Sequence, residues 1–383
     1  MHSKLLRSLL PVLLIIFSFS CTTVKKSTQT TADIRGLRFL SQYDLPFNLA
    51  YKNTIVGGLS GIDYDANNNL YYLISDDRSD RNPARFYTAK IFFSEKKIDS
   101  ISFTGVKYML RADGQVYPNN KQDARQTPDP EAIRFNPVSG MLAWSSEGER
   151  VVTDKDTVLG NPSVILIRPG GGYIDSFILP GNLFMHATEK GPRRNGVLEG
   201  MTFADNYQTL FVNVEEPLYE DGPRAEVTEG NAFIRMYRFD IQTRKNTAQY
   251  AYKLSPVAYP AVPGSAFKIN GVPEILSLGN NKLLVIERSF STGRIPCTIK
   301  VFIADLNGAT DISNMQLNNN DGFVPAAKKL LLNMDDLGIY TDNIEGVTFG
   351  PRLPNGHKTL LFIADNNFNP LEKAQVLLFE VIE

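Results

Sequence analysis

The chain has 383 residues, with 43% apolar and 21% charged side chains, and its 40 lysines and arginines nearly balance 41 aspartates and glutamates. This balance excludes the strongly basic surface typical of nucleic-acid binding, while the apolar content is sufficient for a folded core. The two cysteines, Cys21 and Cys297, exclude a Cys-based zinc site and, if Cys21 is modified, an intramolecular disulfide.

Residues 1–20 have the pattern of a signal peptide. Lys4 and Arg7 precede an apolar run over residues 9–19 that is too short to span a bilayer comfortably, and Ser20 precedes Cys21. We expect lipidation at Cys21, a flexible tether over 21–34 and one domain over 35–383, held in the cell envelope by the lipid and facing the periplasm or the exterior. An ordinary signal peptide, in which Cys21 is incidental, and an uncleaved anchor are the alternatives.

A short pattern recurs along the rest of the chain. It consists of an acid or serine, a small residue, an apolar residue, any residue and an aromatic residue. Four copies have this form, and a weaker fifth copy begins at Pro273-Glu274. The four copies begin at Ser60, Glu131, Glu199 and Glu345.

Each copy continues as a predicted β-hairpin whose second strand ends in an acid. A turn rich in Asn, Asp, Gly or Pro leads into an apolar strand. The acids that follow these strands are Asp76, Glu147, Glu215, Glu287 and Asp365. The spacing is 16 residues in the first three copies, 20 in the last and 13 in the fifth. Because the two ends of a hairpin lie side by side, both acids of a copy should share one end.

Repeat starts about seventy residues apart, with almost no helical periodicity, predict an all-β fold, a β-propeller of five to seven blades. The strand over Leu37 to Tyr43 is expected to close the ring with the strand over Gln375 to Glu380. A β-sandwich and a β-solenoid are the alternative folds.

In a propeller, the acidic hairpin ends should crowd one mouth. Buried carboxylates repel one another unless a cation, an arginine or protonation neutralises them, and oxygen ligands favour Ca²⁺. The predicted metal ligands are Asp76, Glu131, Glu199 and Glu345, and the predicted catalytic acids, one of them a general base, are Glu147, Glu215 and Asp365. Arg78 and Arg288 are predicted to hold an anionic substrate. Alternatively, these acids and arginines only brace the ring.

Serine nucleophilic catalysis is less well supported. Ser60 lies in a strand-opening segment that lacks the second glycine of a G-x-S-x-G elbow, and His357 lies at the hairpin end away from the acids. His186 belongs to a basic loop with Lys190, Arg193 and Arg194, which is either a solvated surface or a lid that recruits an anion.

Most of residues 57–368 resemble the phytase-like family, also called "esterase-like activity of phytase". The resemblance is carried by motifs that include Gly58-Leu59-Ser60-Gly61, Asp129-Pro130-Glu131-Ala132, Asn195-Gly196-Val197-Leu198-Glu199-Gly200 and Asp342-Asn343-Ile344-Glu345-Gly346. Ala132 replaces the usual glycine, and residues 186–194 depart from the family pattern. The resemblance implies a bacterial propeller, and with the acids it predicts a monomeric, Ca²⁺-dependent hydrolase of phosphoric or carboxylic esters. The alternative is a non-catalytic binding propeller.

Overall fold

The computed structural model describes Gln29, residues 31–319 and residues 322–383. Within these residues the strands form five four-stranded sheets and two separate two-stranded hairpins. The innermost strands of the five sheets contact one another in a closed ring, so the sheets are the blades of a five-bladed β-propeller. This confirms the predicted fold class and fixes the blade number.

The N-terminal strands and blade 1 follow one another along the chain. They are β1 (Gly36–Leu45), β2 (Leu49–Tyr51), β3 (Thr54–Val56), β4 (Gly61–Asp65), β5 (Leu70–Ser75), β6 (Arg85–Phe93) and β7 (Ile98–Tyr108). Strands β4 to β7 form blade 1, and β2 pairs with β3. The region of blade 2 contains β8 (Pro130–Asn136), β9 (Met141–Ser146), β10 (Glu149–Val152), β11 (Thr157–Gly160), β12 (Ser163–Ile167) and β13 (Tyr173–Ser176). The β10–β11 hairpin stands apart from the blade.

Blades 3, 4 and 5 use the remaining strands. Blade 3 consists of β14 (Leu198–Ala204), β15 (Thr209–Val214), β16 (Phe233–Asp240) and β17 (Asn246–Lys253). Blade 4 consists of β18 (Lys268–Gly279), β19 (Lys282–Ser291), β20 (Thr298–Asp305) and β21 (Ala327–Asn333). Blade 5 contains β22 (Asn343–Gly350), β23 (Thr359–Asp365) and β24 (Ala374–Ile382), and β1 completes it.

Helical structure in the described part of the chain is limited to single turns. They are α1 (Asn120–Asp123) and 3₁₀ turns over Gly181–Leu183, Tyr219–Asp221, Leu317–Asn319 and Met334–Leu337. None of the described helices is long and apolar enough to cross a membrane. The predicted signal peptide and Cys21 lie outside the described residues.

The ring closes through the strand pair predicted from the sequence. Strand β1 pairs antiparallel with β24, with Leu37 opposite Val381 and Tyr43 opposite Val376. Just before β1, the Ala32 N–H donates to the carbonyl of Leu278 in blade 4 at 3.1 Å, and the Ile34 side chain is buried. The described end of the predicted tether therefore packs against the propeller.

The small residue of the repeat has a packing reason. Neighbouring inner strands approach backbone to backbone around the axis, and a Cβ added at Gly200 would lie 2.6 Å from the Cα of Glu274. The same holds at Gly61, where an added Cβ would lie 2.8 Å from the carbonyl oxygen of Glu131. A larger residue at these positions would push the blades apart.

The weaker fifth copy has a different register from the other copies. In blade 3 Leu198 pairs with Val214 and Met201 with Val212, so Glu199 lies in a bulge. In blade 4 the pairs are Gly271 with Arg288 and Glu274 with Ile286. The position that matches Glu199 is therefore Val272, and Glu274 lies two residues deeper along the strand. The Pro273-Glu274 dipeptide resembles the start of a repeat in sequence. The β-bulge near the start of β18 changes the number of residues between the start of the strand and its turn, so the resemblance does not give the register.

Arg134 fills the centre of the ring. Its guanidinium donates to one carbonyl from each of the other four inner strands, at 2.5 to 3.2 Å. Its Nη2 also lies 2.5 Å from a carboxylate oxygen of Glu274, whose pKa burial raises to about 7 although Arg134 lowers it. Arg134 is 1% exposed. A single side chain therefore ties all five blades together at the axis.

Candidate functional site

The inner hairpins end around a cavity of about 710 Å³, which we call the mouth. Eleven carboxylates and four arginines line it among the described residues. The carboxylates belong to Asp76, Asp77, Asp80, Asp129, Glu131, Glu147, Glu199, Glu215, Asp342, Glu345 and Glu372. The arginines are Arg78, Arg81, Arg288 and Arg294. Rotational repetition of one hairpin thus gathers acids that are far apart in sequence.

Eight of the nine acids and arginines predicted for the site line the mouth directly. They are Asp76, Arg78, Glu131, Glu147, Glu199, Glu215, Arg288 and Glu345. The ninth, Asp365, ends β23 opposite Asn343 and is 1% exposed. Its Oδ1 accepts the Asn367 N–H at 2.7 Å, and its Oδ2 has no hydrogen-bond partner among the described residues.

Two groups of carboxylates converge closely enough to share a cation. One oxygen from each of Asp76, Asp129 and Glu131 lies within 4.8 Å of the others, and the same holds for Glu131, Glu147 and Glu199. Glu131 belongs to both groups. The spacing and the all-oxygen donor set suit a hard divalent ion.

Burial and mutual repulsion dominate the electrostatics of these groups. Burial, with the nearby charges of Glu199 and Asp76, raises the pKa of Glu131 well above its usual range. Burial and the charge of Glu147 do the same to the pKa of Glu199. Burial raises the pKa of Asp129 to about 6, although Arg78 lowers it. The cluster therefore holds more negative charge than its own neighbours neutralise, which is the condition that a bound cation relieves.

The predicted substrate-binding arginines both form ion pairs. Arg78 reaches from blade 1 to blade 2, where its guanidinium lies 2.8 Å from Glu149 and 3.2 Å from Asp129. Arg288 of blade 4 pairs with Glu215 of blade 3 at 2.6 Å and with Glu345 of blade 5. Both side chains brace neighbouring blades, and their role in substrate binding stays a prediction.

Among the described residues, no acid of blade 4 lines the mouth. Glu274 lies below it against Arg134. Glu287 faces away, because its carboxylate accepts from the Tyr252 hydroxyl at 2.8 Å and from Lys328 at 2.6 Å. Blade 4 instead contributes Arg288 to the lining of the mouth.

The ligands predicted from the sequence do not include Asp129, although it belongs to one of the two groups of converging carboxylates. It lies just before β8, and its backbone N–H donates to the Ser146 hydroxyl oxygen at 3.0 Å. The signal was present in the Asp129-Pro130-Glu131 motif, where the acid precedes a strand-opening proline. Asp129 lies in a loop next to a hairpin end and outside the repeated pattern, so the repeat alone does not identify it.

The groups considered for nucleophilic catalysis are engaged elsewhere. The Ser60 hydroxyl donates to the Glu131 carbonyl at 2.7 Å, and His357 contacts Glu380 at the far end of blade 5. In the basic loop, Arg193 stacks on the Tyr219 ring, with 4.3 Å to its centroid, and Arg194 lies 3.1 Å from Glu149. Cys297 is a free, half-buried thiol at the mouth, and burial raises its pKa to about 11.

Fold and site together define a five-bladed propeller with a carboxylate-rich mouth at one end of its axis. Within that class, the chain belongs to the phytase-like family described as "Esterase-like activity of phytase", which it matches over residues 54–368. The resemblance seen in the sequence is thereby confirmed. No curated protein matches the chain.

Several solved structures have a similar backbone at low sequence identity. An exo-β-1,3-galactanase from Phanerochaete chrysosporium is 13% identical, with a TM-score of 0.45, and the match covers 90% of this chain and 65% of that one. A xylan β-1,4-xylosidase from Bacillus halodurans is 9% identical, with a TM-score of 0.46 and coverage of 86% and 54%. The periplasmic gluconolactonase of Pseudomonas aeruginosa is 9% identical, with a TM-score of 0.38 and coverage of 86% and 87%. The chain spans less than two thirds of the galactanase and xylosidase chains.

Proposed function

We propose that the protein is an exported, metal-dependent hydrolase of phosphoric or carboxylic esters, with Ca²⁺ as the metal. The proposal rests on the two clusters of three carboxylates at the mouth, both of which include Glu131. Membership of the phytase-like family supports ester hydrolysis as the reaction class.

The residues present fit a hard cation. Asp76, Asp129, Glu131, Glu147 and Glu199 would hold it, since their oxygens converge and their charges exceed what nearby arginines balance. When bound, such an ion polarises a phosphoryl or carbonyl oxygen and lowers the pKa of a bound water. Glu345 was predicted as a further ligand, but it accepts from Arg288 and from Asn343. In the proposal it orients Arg288.

In the proposed reaction, the oxygen of a water molecule bonds to phosphorus or to the carbonyl carbon, and the bond to the alcohol oxygen breaks. The water loses a proton to a carboxylate, and the departing alkoxide gains one. Of the three predicted catalytic acids, Glu147 belongs to a cation group and Glu215 is paired with Arg288. Asp365 keeps one oxygen without a partner among the described residues, and burial raises its pKa well above the usual range, so it would serve as the proton donor.

The proposal is tested by removing and restoring the metal. The purified protein is chelated, reloaded with Ca²⁺ and assayed on a panel of phosphate and carboxylic esters. We expect activity only in the reloaded protein, and its loss in Glu199→Gln. Glu226→Gln is the matched control, because Glu226 is an exposed acid that pairs with Lys268 and does not line the mouth. Equal activity with and without metal, or in Glu199→Gln, would refute the assignment.

A non-catalytic binding propeller is the second candidate. The observation that favours it is the bracing of three pairs of neighbouring blades by four ion pairs of Arg78 and Arg288, which gives several mouth carboxylates a structural role. Inactivity of the Ca²⁺-loaded, folded protein on the whole ester panel, combined with calorimetric binding of one of those esters, would favour this candidate over the enzyme.

The proposed lipid anchor would hold one particular end of the propeller near the membrane. Gln29 lines a cavity of about 410 Å³ at the axial end opposite the mouth, and it donates to the Phe203 carbonyl there. Gln29 follows Cys21 by eight positions in the sequence, a reach of at most about 28 Å. A lipid on Cys21 would therefore hold that end toward the membrane and direct the mouth away. Mass spectrometry of the mature N-terminus tests the modification, and Cys21→Ser should release the protein from membranes.

A further inference from the structure

The mouth has two unlike sides. The acids of the two cation groups come from blades 1, 2 and 3. Blade 5 also contributes acids, including Glu345 and Glu372, but blades 4 and 5 add a group of strongly exposed apolar side chains. Phe267 is 55% exposed, Ile295 79% and Leu371 85%. Phe290 extends this wall, with its ring centroid 6.2 Å from that of Phe267. Solvent-exposed apolar side chains that border a polar cavity are typical of a site for a ligand with an apolar part.

The charge of the mouth disfavours a highly phosphorylated ligand. Its described lining has eleven carboxylates and four arginines, and two divalent ions would still leave the formal charge negative. The arginines are also engaged. Arg78 and Arg288 are in ion pairs, Arg294 stacks on the Tyr259 ring at 3.3 Å, and Arg81 stacks on the Phe368 ring at 4.7 Å. A polyanion would find few free positive groups there.

Arg288 lies at the border between the two sides. It belongs to β19, the strand that also carries Phe290, and its guanidinium points to Glu215 and Glu345. An ester group placed at the cation groups would therefore have Arg288 beside it, and its substituent would extend along blade 4 toward Ile295. The polar and apolar halves are continuous within one cavity.

We infer that the mouth takes an amphiphilic ester, a single phosphoryl or acyl ester group with an alkyl or aryl substituent that packs on Phe267, Ile295 and Leu371. This inference rests on the proposed function for the role of the polar half. It assigns the apolar wall to the substrate rather than to a partner protein or a membrane, because the wall lines the same cavity as the acids.

The test compares n-octylphosphonate with methylphosphonate, which share a head group and resist hydrolysis. Calorimetric titration of the Ca²⁺-loaded protein should show at least about tenfold tighter binding of the octyl compound, since burial of a few methylenes suffices for this gain. The double variant Ile295→Ser/Leu371→Ser should lose most of that difference and keep the methylphosphonate affinity. Both side chains are exposed, so folding should be unaffected. Val138→Ser is the control, because Val138 is 66% exposed in the turn after β8, outside the mouth.

The outcomes separate this inference from the proposed function. Equal binding of the two phosphonates, or a difference that persists in the double variant, would overturn the inference while ester hydrolysis could still stand. Tighter binding of inositol hexakisphosphate than of octylphosphonate would also overturn it. Loss of vesicle binding in the double variant, with phosphonate affinities unchanged, would assign the wall to a membrane instead. Octyl preference without hydrolysis of any ester would support the inference and refute the enzyme.

Discussion

Two clusters of buried charge lie along the propeller axis, one at its centre and one at the mouth. At the centre, Arg134 meets Glu274 and four backbone carbonyls, so charge and hydrogen-bonding groups are matched. At the mouth, carboxylates meet other carboxylates, and the arginines lie at the border of the cluster. Charge that the fold itself balances is structural, whereas charge that the fold leaves in excess calls for a ligand.

Removal of the central arginine should have the largest effect on stability. Arg134→Met leaves Glu274 without its counter-ion and four inner-strand carbonyls without a donor in the ring centre. Breaking a buried ion pair in this way costs about 3–5 kcal/mol. Chemical denaturation of the variant and the parent measures the difference in free energy of unfolding.

The double variant Arg134→Met/Glu274→Gln is the control for this prediction. It removes the uncompensated carboxylate, so we expect it to recover part of the loss. A single variant within about 1 kcal/mol of the parent would show that the centre of the ring is not held by this pair.

The pH dependence of stability should distinguish the metal-free from the Ca²⁺-loaded protein. In the metal-free protein, burial raises the pKa of Asp129 to about 6 and raises those of Glu131 and Glu199 further. The folded state therefore binds more protons than the unfolded state, and stability falls as pH rises from about 4 to about 7. Saturating Ca²⁺ should restore about 2–4 kcal/mol near neutral pH. Thermal melts across this range with and without Ca²⁺ measure the effect, and identical profiles would contradict it.

Glu131→Gln should stabilise the metal-free protein, by less than saturating Ca²⁺ stabilises the parent protein. The substitution removes a carboxyl group whose ionisation burial and the neighbouring acids oppose, so the metal-free variant should be more stable near neutral pH, on the order of 1 kcal/mol. The same variant should lose the Ca²⁺ response. Denaturation with and without Ca²⁺ tests both, and an unchanged Ca²⁺ response would remove Glu131 from the site.

The smallest effect is expected from an exposed ion pair. Glu226→Gln removes the partner of Lys268, which lies 3.0 Å away, and Glu226 is largely exposed. Such pairs contribute about 0–1 kcal/mol, so unfolding, Ca²⁺ response and activity should match the parent within error. A marked loss in this variant would mean that removal of any acid, and not of a mouth acid, changes the protein.

The sequence predicted the mouth better than it predicted the centre. Recurrence of the hairpin and the 16-residue spacing from Glu131 to Glu147 and from Glu199 to Glu215 were enough to place these four acids on one rim, because strand pairing is local and regular. The sequence does not identify Arg134 as a central residue, because its neighbours along the chain form no pattern that points to this role. Its partners are backbone carbonyls on four other blades, and only the closed ring brings them to one point.

Excess negative charge at the mouth should bind a divalent cation, and calorimetric titration of the chelated protein with Ca²⁺ near neutral pH measures this binding. We predict binding of about one or two ions per chain in the parent and in Glu226→Gln, with loss of binding in Glu131→Gln. A folded parent protein that binds no Ca²⁺ at millimolar concentration would contradict this prediction.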